Sequence, residues 1–150
     1  MFYMPKKIGR FYFIFLSFLL FSISGPSNSH EVSVRDLILY HPSLFFEKEG
    51  EGEAFFSVLN EGSDSDYIIG FHSKFSKTVE LYKYNEMLDR FDTIGRSNTS
   101  YLDLRNSPLE IKPGESITFD SLDYMLVFRE VDSSLSWFDM HEAVIFFRDS

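Results

Sequence analysis

The sequence predicts an all-β fold, an antiparallel β-sandwich of Greek-key type with about eight strands. Short segments rich in β-branched and aromatic residues recur at regular spacing, and clusters of turn residues separate them. No segment shows the apolar periodicity of a long helix. Twelve of the 18 phenylalanines follow residue 29, which indicates a single aromatic core.

The first half of the chain predicts four strands. Pro42 is expected to stop the first strand, because proline cannot donate a hydrogen bond to a ladder. Residues 44–53 mix aromatic and charged side chains, so we interpret them as a loop pinned by Phe45 and Phe46. Residues 54–60 are apolar at nearly every position, as in a central strand covered on both faces. The segments assigned to strands are 32–40, 54–60, 66–73 and 78–84.

The second half predicts a long connection and then a series of short strands. Periodicity fades over residues 85–100, where the apolar residues from Met87 to Ile94 suggest one amphipathic turn and residues 95–98 an open loop. Pro113-Gly114 is typical of a tight turn between two strands. The segments assigned to strands are 101–104, 109–112, 116–121, 124–131 and 142–148.

The N-terminus resembles a secretory signal peptide. Three basic residues precede an apolar run of 13 residues at 11–23, which is shorter than the roughly 20 residues that span a bilayer. Cleavage is expected after Ser24 or Ser29. We favour Ser29, because Pro26 would break the helix just upstream. Residues 1–29 are therefore expected to be removed and the protein exported, to the periplasm or outside the cell; an uncleaved anchor is the alternative.

Residues 30–150 are predicted to form one domain. Removing residues 1–29 takes away three positive charges and no negative ones, so that the formal charge goes from −9 to −12. Such an acidic chain is a poor candidate for binding nucleic acid or an anionic membrane surface. It contains no cysteine, which excludes disulfides and thiolate metal sites. Its stability must come from packing.

Five short motifs occur in the order of a known family. They are AFFSVLNEG at 54–62, DYIIGFHS at 66–73, TVEL at 78–81, LEIKPGESITFD at 109–120 and YMLVF at 124–128. Together they resemble the periplasmic PCu(A)C copper-chaperone domain, a cupredoxin-like β-sandwich. The resemblance covers nearly all of residues 30–150. It implies copper as cargo and an envelope protein that receives the copper as partner.

The resemblance also implies four metal-ligand positions. The family pattern is His, ten residues, Met, twenty-one residues, His, one residue, Met. Here Tyr82 follows the Val-Glu-Leu segment that leads into the first ligand, and Tyr101, Asp123 and Met125 reproduce the later spacing, although eighteen residues separate Tyr82 from Tyr101. Only Met125 keeps the family's residue type. Because Cu(I) prefers thioether and imidazole donors, this set predicts a degenerate copper site.

Other soft donors could replace the missing ligands. Met87 lies in the connection after Tyr82 and is a candidate to approach Met125. His30 would offer an amine and an imidazole to Cu(II) if cleavage follows Ser29. Met140 and His141 are adjacent soft donors. Because successive side chains of a strand point to opposite faces, the two are not expected to bind one ion together unless the backbone is irregular there.

Two functions remain open. The first is an exported copper-chaperone-like protein with a degenerate or rearranged copper site. The second is a metal-free secreted or periplasmic interaction module that binds a protein partner. Catalytic motifs such as G-x-S-x-G are absent from the sequence, so an enzyme is not expected.

Overall fold

The computed structural model describes residues 31–48, 50–132 and 142–148, which form eleven β-strands. The strands are β1 (Glu31–Val34), β2 (Leu37–Lys48), β3 (Glu51–Asn60), β4 (Asp66–Ser73), β5 (Thr78–Asn85), β6 (Arg90–Arg96), β7 (Tyr101–Asp103), β8 (Leu109–Ile111), β9 (Ser116–Phe119), β10 (Tyr124–Arg129) and β11 (Ala143–Phe147). Within these ranges, no helix has the length and apolarity needed to cross a membrane.

The strands form two sheets that face each other. The larger sheet has seven strands in the order β1-β2-β3-β9-β10-β5-β6, and the smaller has the order β11-β4-β7 with β8 also paired to β4. Strands β9 and β10 lie one after the other along β3 and meet in a short parallel contact between Phe119 and Tyr124. The other pairings of described strands are antiparallel. The predicted all-β sandwich is confirmed.

The core lies between the sheets and is aromatic, as the composition predicts. Phe119 is completely buried, stacks on Phe56 with ring centroids 4.3 Å apart, and contacts the edge of Phe71 across the sandwich. Phe128 is also fully buried and packs against Phe75. Such pairs add specific geometry to the burial of large apolar surfaces, which is how a chain without disulfides holds its two sheets together.

Three predictions for residues 32–53 are wrong. Residues 32–40 form a hairpin, with Arg35 in a left-handed conformation between β1 and β2. Pro42 does not end the strand, because the pairing of β2 with β3 shifts register between Tyr40 and Ser43 and accommodates the proline in this irregularity. The predicted loop at 44–53 is mostly strand, although Phe46 does pack against the core as predicted.

Two further predictions need correction. The strand β3 is central, but its residues alternate between buried and half-buried, so it is covered fully on one face only. The connection at 85–100 contains β6, which pairs with β5 through a bulge at Ile94. Bulged edge strands have weak alternation, which explains why the sequence pattern fades there. The strands predicted at 66–73, 78–84 and beyond residue 100 are confirmed.

Candidate functional site

Tyr82 lies in the middle of a row of three side chains on the outer face of the seven-stranded sheet, the face turned away from the four-stranded sheet. Its neighbour Leu81 is in the core, so strand alternation turns Tyr82 outward. Tyr82 is paired with Met125 of β10 on one side and with Thr93 of β6 on the other. Because directly opposite residues share a face of the sheet, these three side chains are neighbours.

The structure separates Tyr101 from this row. Tyr101 lies on β7 of the four-stranded sheet, where it is paired with His72 and packs against the ring of Phe146 at 5.5 Å. Counting forward from Tyr82 with the family's ten-residue gap reaches Thr93, which does lie beside Tyr82. The ten-residue spacing after Tyr82 therefore leads to Thr93, whereas the twenty-one-residue spacing before Asp123 leads to Tyr101.

Asp123 lies at the end of the same strand pair. Its carbonyl oxygen accepts a hydrogen bond from the backbone N–H of Tyr84 at 2.8 Å, just beyond the Tyr82–Met125 pair. Burial raises the pKa of Asp123, and the nearby charge of Asp120 raises it further, while Lys83 acts in the opposite direction. The structure thus brings three predicted positions, Tyr82, Asp123 and Met125, to one strand pair.

The proposed replacement ligands are largely apart from this row. Met87 lies at the turn between β5 and β6 and is 92% exposed. It lines an open groove together with Asp123. The other candidates, His30, Met140 and His141, lie outside the described residues.

A network of charged side chains, which the sequence did not predict, surrounds the Tyr82 hydroxyl. Its centre is Glu80, whose side chain is only 5% exposed. One carboxylate oxygen accepts hydrogen bonds from the Tyr82 hydroxyl and from Nε of Arg129, the latter at 2.6 Å, and the other lies 2.7 Å from Nε of Arg96. Arg129 also donates from Nη1 to Glu51 at 2.6 Å. We call these five residues the Glu80 cluster; they join strands β3, β10, β5 and β6.

The Glu80 cluster is electrostatically self-consistent. Burial by itself would raise the pKa of Glu80, but hydrogen bonds from Tyr82 and Arg129 and the charges of both arginines outweigh it, so the pKa lies below its ordinary value. The hydrogen bond to Glu80 raises the pKa of Arg129. The hydrogen bond from Arg96 to Tyr82 and the charge of Glu80 raise the pKa of Arg96. The carboxylate is therefore ionised and held by two guanidinium groups.

This arrangement does not fit a copper ion. The row offers a hydroxyl from Thr93, a phenol from Tyr82 and one thioether from Met125, whereas Cu(I) is held by several soft donors. The phenol of Tyr82 donates its proton to Glu80 in a hydrogen bond, and a protonated phenol is a poor metal ligand. A guanidinium nitrogen of Arg96 lies 3.4 Å from the Tyr82 oxygen and places a positive charge where a cation would approach. Among the residues that the structure describes, no three His, Asp or Glu side chains are grouped closely enough to hold a metal.

Comparison with solved structures confirms the predicted fold. The chain is similar to a copper-bound PCuAC domain from PmoF2, with a TM-score of 0.55 and 18% identity over 80% of this chain and 88% of that chain. It is similar to the apo PCuAC domain of PmoF2, with a TM-score of 0.58, 15% identity and coverage of 80% and 86%. It is also similar to the apo PCuAC domain of PmoF1, with a TM-score of 0.56, 18% identity and coverage of 80% and 89%.

These likenesses establish the class of structure, a β-sandwich of PCuAC type. No protein-family model matches the chain, and no curated protein does. The similarity is therefore one of fold, and the function has to be argued from the side chains of the site.

Proposed function

We propose that this protein is exported and works as a metal-free interaction module that binds a protein partner. In this proposal its PCuAC-type β-sandwich carries a degenerate copper site. The observation that carries the proposal is the hydrogen bond from the Tyr82 hydroxyl to Glu80. At the position of the first family ligand, the side chain completes an ion-pair cluster instead of presenting a free donor. The positive charge of Arg96 beside it further disfavours a cation.

A binding role, not catalysis, suits the rest of the chain. The solved structures to which it is similar are named as PCuAC domains. A rigid sandwich presents its loops and hairpins as recognition surfaces. The signal-peptide pattern at residues 1–29 supports export to the periplasm or outside the cell.

A copper chaperone with a rebuilt site is the second candidate. It is favoured by Met125, which keeps the family's residue type and lies on the strand pair that also carries Tyr82 and Asp123. One solved structure similar to this chain is named as copper-bound. This function would require further soft ligands, for example Met87, to move towards Met125, and an envelope protein that receives the copper.

A Cu(I) competition titration of the exported chain against a chromogenic chelator tests the proposal. We expect no competition, and the same result for Met125→Leu. Binding of one equivalent of Cu(I) by the wild type, lost in Met125→Leu, would overturn the proposal in favour of the copper chaperone. The leucine replacement is suitable because it nearly conserves side-chain volume and removes the sulfur donor.

A further inference from the structure

An open groove of about 520 Å³ lies at the end of the β5–β10 strand pair that carries Tyr82 and Met125. One wall is the turn between β5 and β6, which carries Met87. The other wall is the loop between β9 and β10, which carries Leu122 and Asp123. The two walls belong to neighbouring parts of the seven-stranded sheet, because β10 pairs with β5 along six residues.

The groove concentrates exposed apolar side chains. Met87 is 92% exposed and Leu122 is 77% exposed, and both line the groove. Ile94, also in the lining, is 38% exposed, and Leu88 in the same turn is 55% exposed. Half of the eight large apolar residues that stand out as exposed in the described chain are therefore at this one place. Clustered exposed apolar residues with a polar rim are typical of protein-binding sites.

The rim of the groove is acidic. Residues 83–92 and 120–123 contain five carboxylates against two cations. Of the two cations, Arg90 is already bound to Asp92 at 3.0 Å, and Lys83 lies over the ring of Tyr124 at 4.9 Å from its centroid. Asp123 lines the groove with Glu86 and Asp92, so that the lining holds three carboxylates but one cation, Lys83, and therefore a net negative charge. A positive charge from outside would stabilise it.

We infer that this groove docks a cationic, amphipathic segment of a protein partner. Apolar side chains of the segment would lie between Met87 and Leu122, and its lysine or arginine side chains would face the acidic rim. Complementary charge would steer the encounter, and the apolar contact would slow dissociation. The inference rests on the proposed function, since it assigns to a protein partner the edge of the region that binds copper in the resembled family.

The test uses fluorescence anisotropy of three labelled nine-residue peptides with the exported chain. The first alternates lysine and leucine, the second alternates lysine and serine, and the third alternates glutamate and leucine. We expect the lysine-leucine peptide to bind and the other two to bind at least about tenfold more weakly, because only the first has both features. Its binding should weaken as salt is raised.

Matched variants locate the binding. The double variant Met87→Ser/Leu122→Ser should lose at least about tenfold in affinity. Val32→Ser, which changes an exposed apolar residue on β1 at the far edge of the same sheet, should have no effect. Asp123→Asn should weaken binding and reduce its salt dependence. Glu110→Gln, the same type of change on β8 of the other sheet, should not.

Three results would overturn the inference. The first is that the double variant binds the lysine-leucine peptide as tightly as the wild type does. The second is that the wild type binds the lysine-serine peptide as tightly as the lysine-leucine peptide, which would mean that charge alone drives binding. The third is that millimolar calcium displaces the lysine-leucine peptide while another salt at the same ionic strength does not, which would mean that the groove is a cation site. If one of these results is found and the protein does not compete for Cu(I), the groove is not the docking site and the proposed function is unaffected. If the protein binds Cu(I) and this binding depends on Met125, the proposed function itself is wrong.

Discussion

Met125 of β10 lies directly opposite Tyr82 of β5, so the register of the sheet joins two positions that the family resemblance predicts as metal ligands. The third member of the row, Thr93, is joined to Tyr82 by the register of the β5–β6 hairpin. The register of the sheet therefore places a thioether, a phenol and a hydroxyl side by side at these three positions. The phenol of Tyr82 now belongs to the Glu80 cluster, which ties the strands of that region together by ion pairs.

Met125→Leu is expected to cost less than about 1.5 kcal/mol in the free energy of unfolding, because the two side chains are similar in volume and Met125 is only partly buried. Phe119→Ala provides the comparison. Phe119 is fully buried and stacked on Phe56, so its removal should cost about 3–5 kcal/mol. Urea unfolding of both variants measures the difference. A loss of several kcal/mol in Met125→Leu would contradict this prediction and show that Met125 is tightly packed in the folded protein.

Glu80→Gln is expected to destabilise the protein by about 2–3 kcal/mol. Breaking a fully buried ion pair costs about 3–5 kcal/mol, and here Arg129 and Arg96 are 40% and 64% exposed, so water compensates part of the loss. The matched control is Glu142→Gln, whose partner Lys74 and own side chain are both more than half exposed and which should cost less than about 1 kcal/mol. Equal effects in urea unfolding would argue against a structural role for the Glu80 cluster.

Glu80 and Asp123 should give opposite pH dependences. The pKa of Glu80 lies below its ordinary value of 4.5, so its stabilising effect is complete above that pH and is lost as the pH falls through the folded-state value. Acid should therefore destabilise the wild type more steeply below pH 4.5 than it destabilises Glu80→Gln. The free energy of unfolding, measured between pH 7 and pH 3, tests this expectation. Parallel curves for the two proteins would contradict it.

The pKa of Asp123 is raised above its ordinary value of 3.8, mainly by burial. Its protonated form favours the folded state, and this contribution is lost as the pH rises through the folded-state value. Asp123→Asn, which resembles the protonated form, should be more stable than the wild type at pH 7 and equally stable below pH 3.8. A variant that is less stable at pH 7 would show that the Asp123 charge is satisfied in the folded protein.

Gly70→Ala should be more costly than Gly114→Ala. A Cβ at Gly70 would lie 2.8 Å from the carbonyl oxygen of Leu102 and 2.9 Å from the Tyr101 hydroxyl, so the two strands would have to shift, at a cost near the upper end of about 1–3 kcal/mol. Gly114 has a φ of +73° and open space around it, so alanine there meets only the penalty of a left-handed conformation, about 1 kcal/mol. Thermal unfolding ranks the two variants, and the reverse order would contradict this geometry.

The sequence predicted the fold class because its strong strands alternate clearly and its turns contain glycine or proline. The segments around Phe71 and Phe119 are of this type. Two elements escaped prediction for local reasons. The β1–β2 hairpin turns at Arg35-Asp36, which lacks glycine although Arg35 has a φ of +52°. Strand β6 carries a bulge at Ile94 that breaks its alternation.

The site could be predicted only in part. The family spacing selected Tyr82, Tyr101, Asp123 and Met125. The structure brings three of them to one strand pair and places Tyr101 on the other sheet. The Glu80 cluster could not be derived from the sequence, because Glu51 and Arg129 come together only through the pairing of β3 with β10. Contacts between residues that are distant in the chain depend on the register of the folded sheet.

The most direct test of the central claim introduces the family's donors at positions that the sheet brings together. The triple variant Tyr82→His/Thr93→Met/Asp123→His, with Met125 unchanged, is titrated with Cu(I) in competition with a chromogenic chelator, alongside the wild type. The account predicts that the triple variant takes up one equivalent of Cu(I) and that the wild type does not compete. A wild type that competes as well as the triple variant would contradict the account.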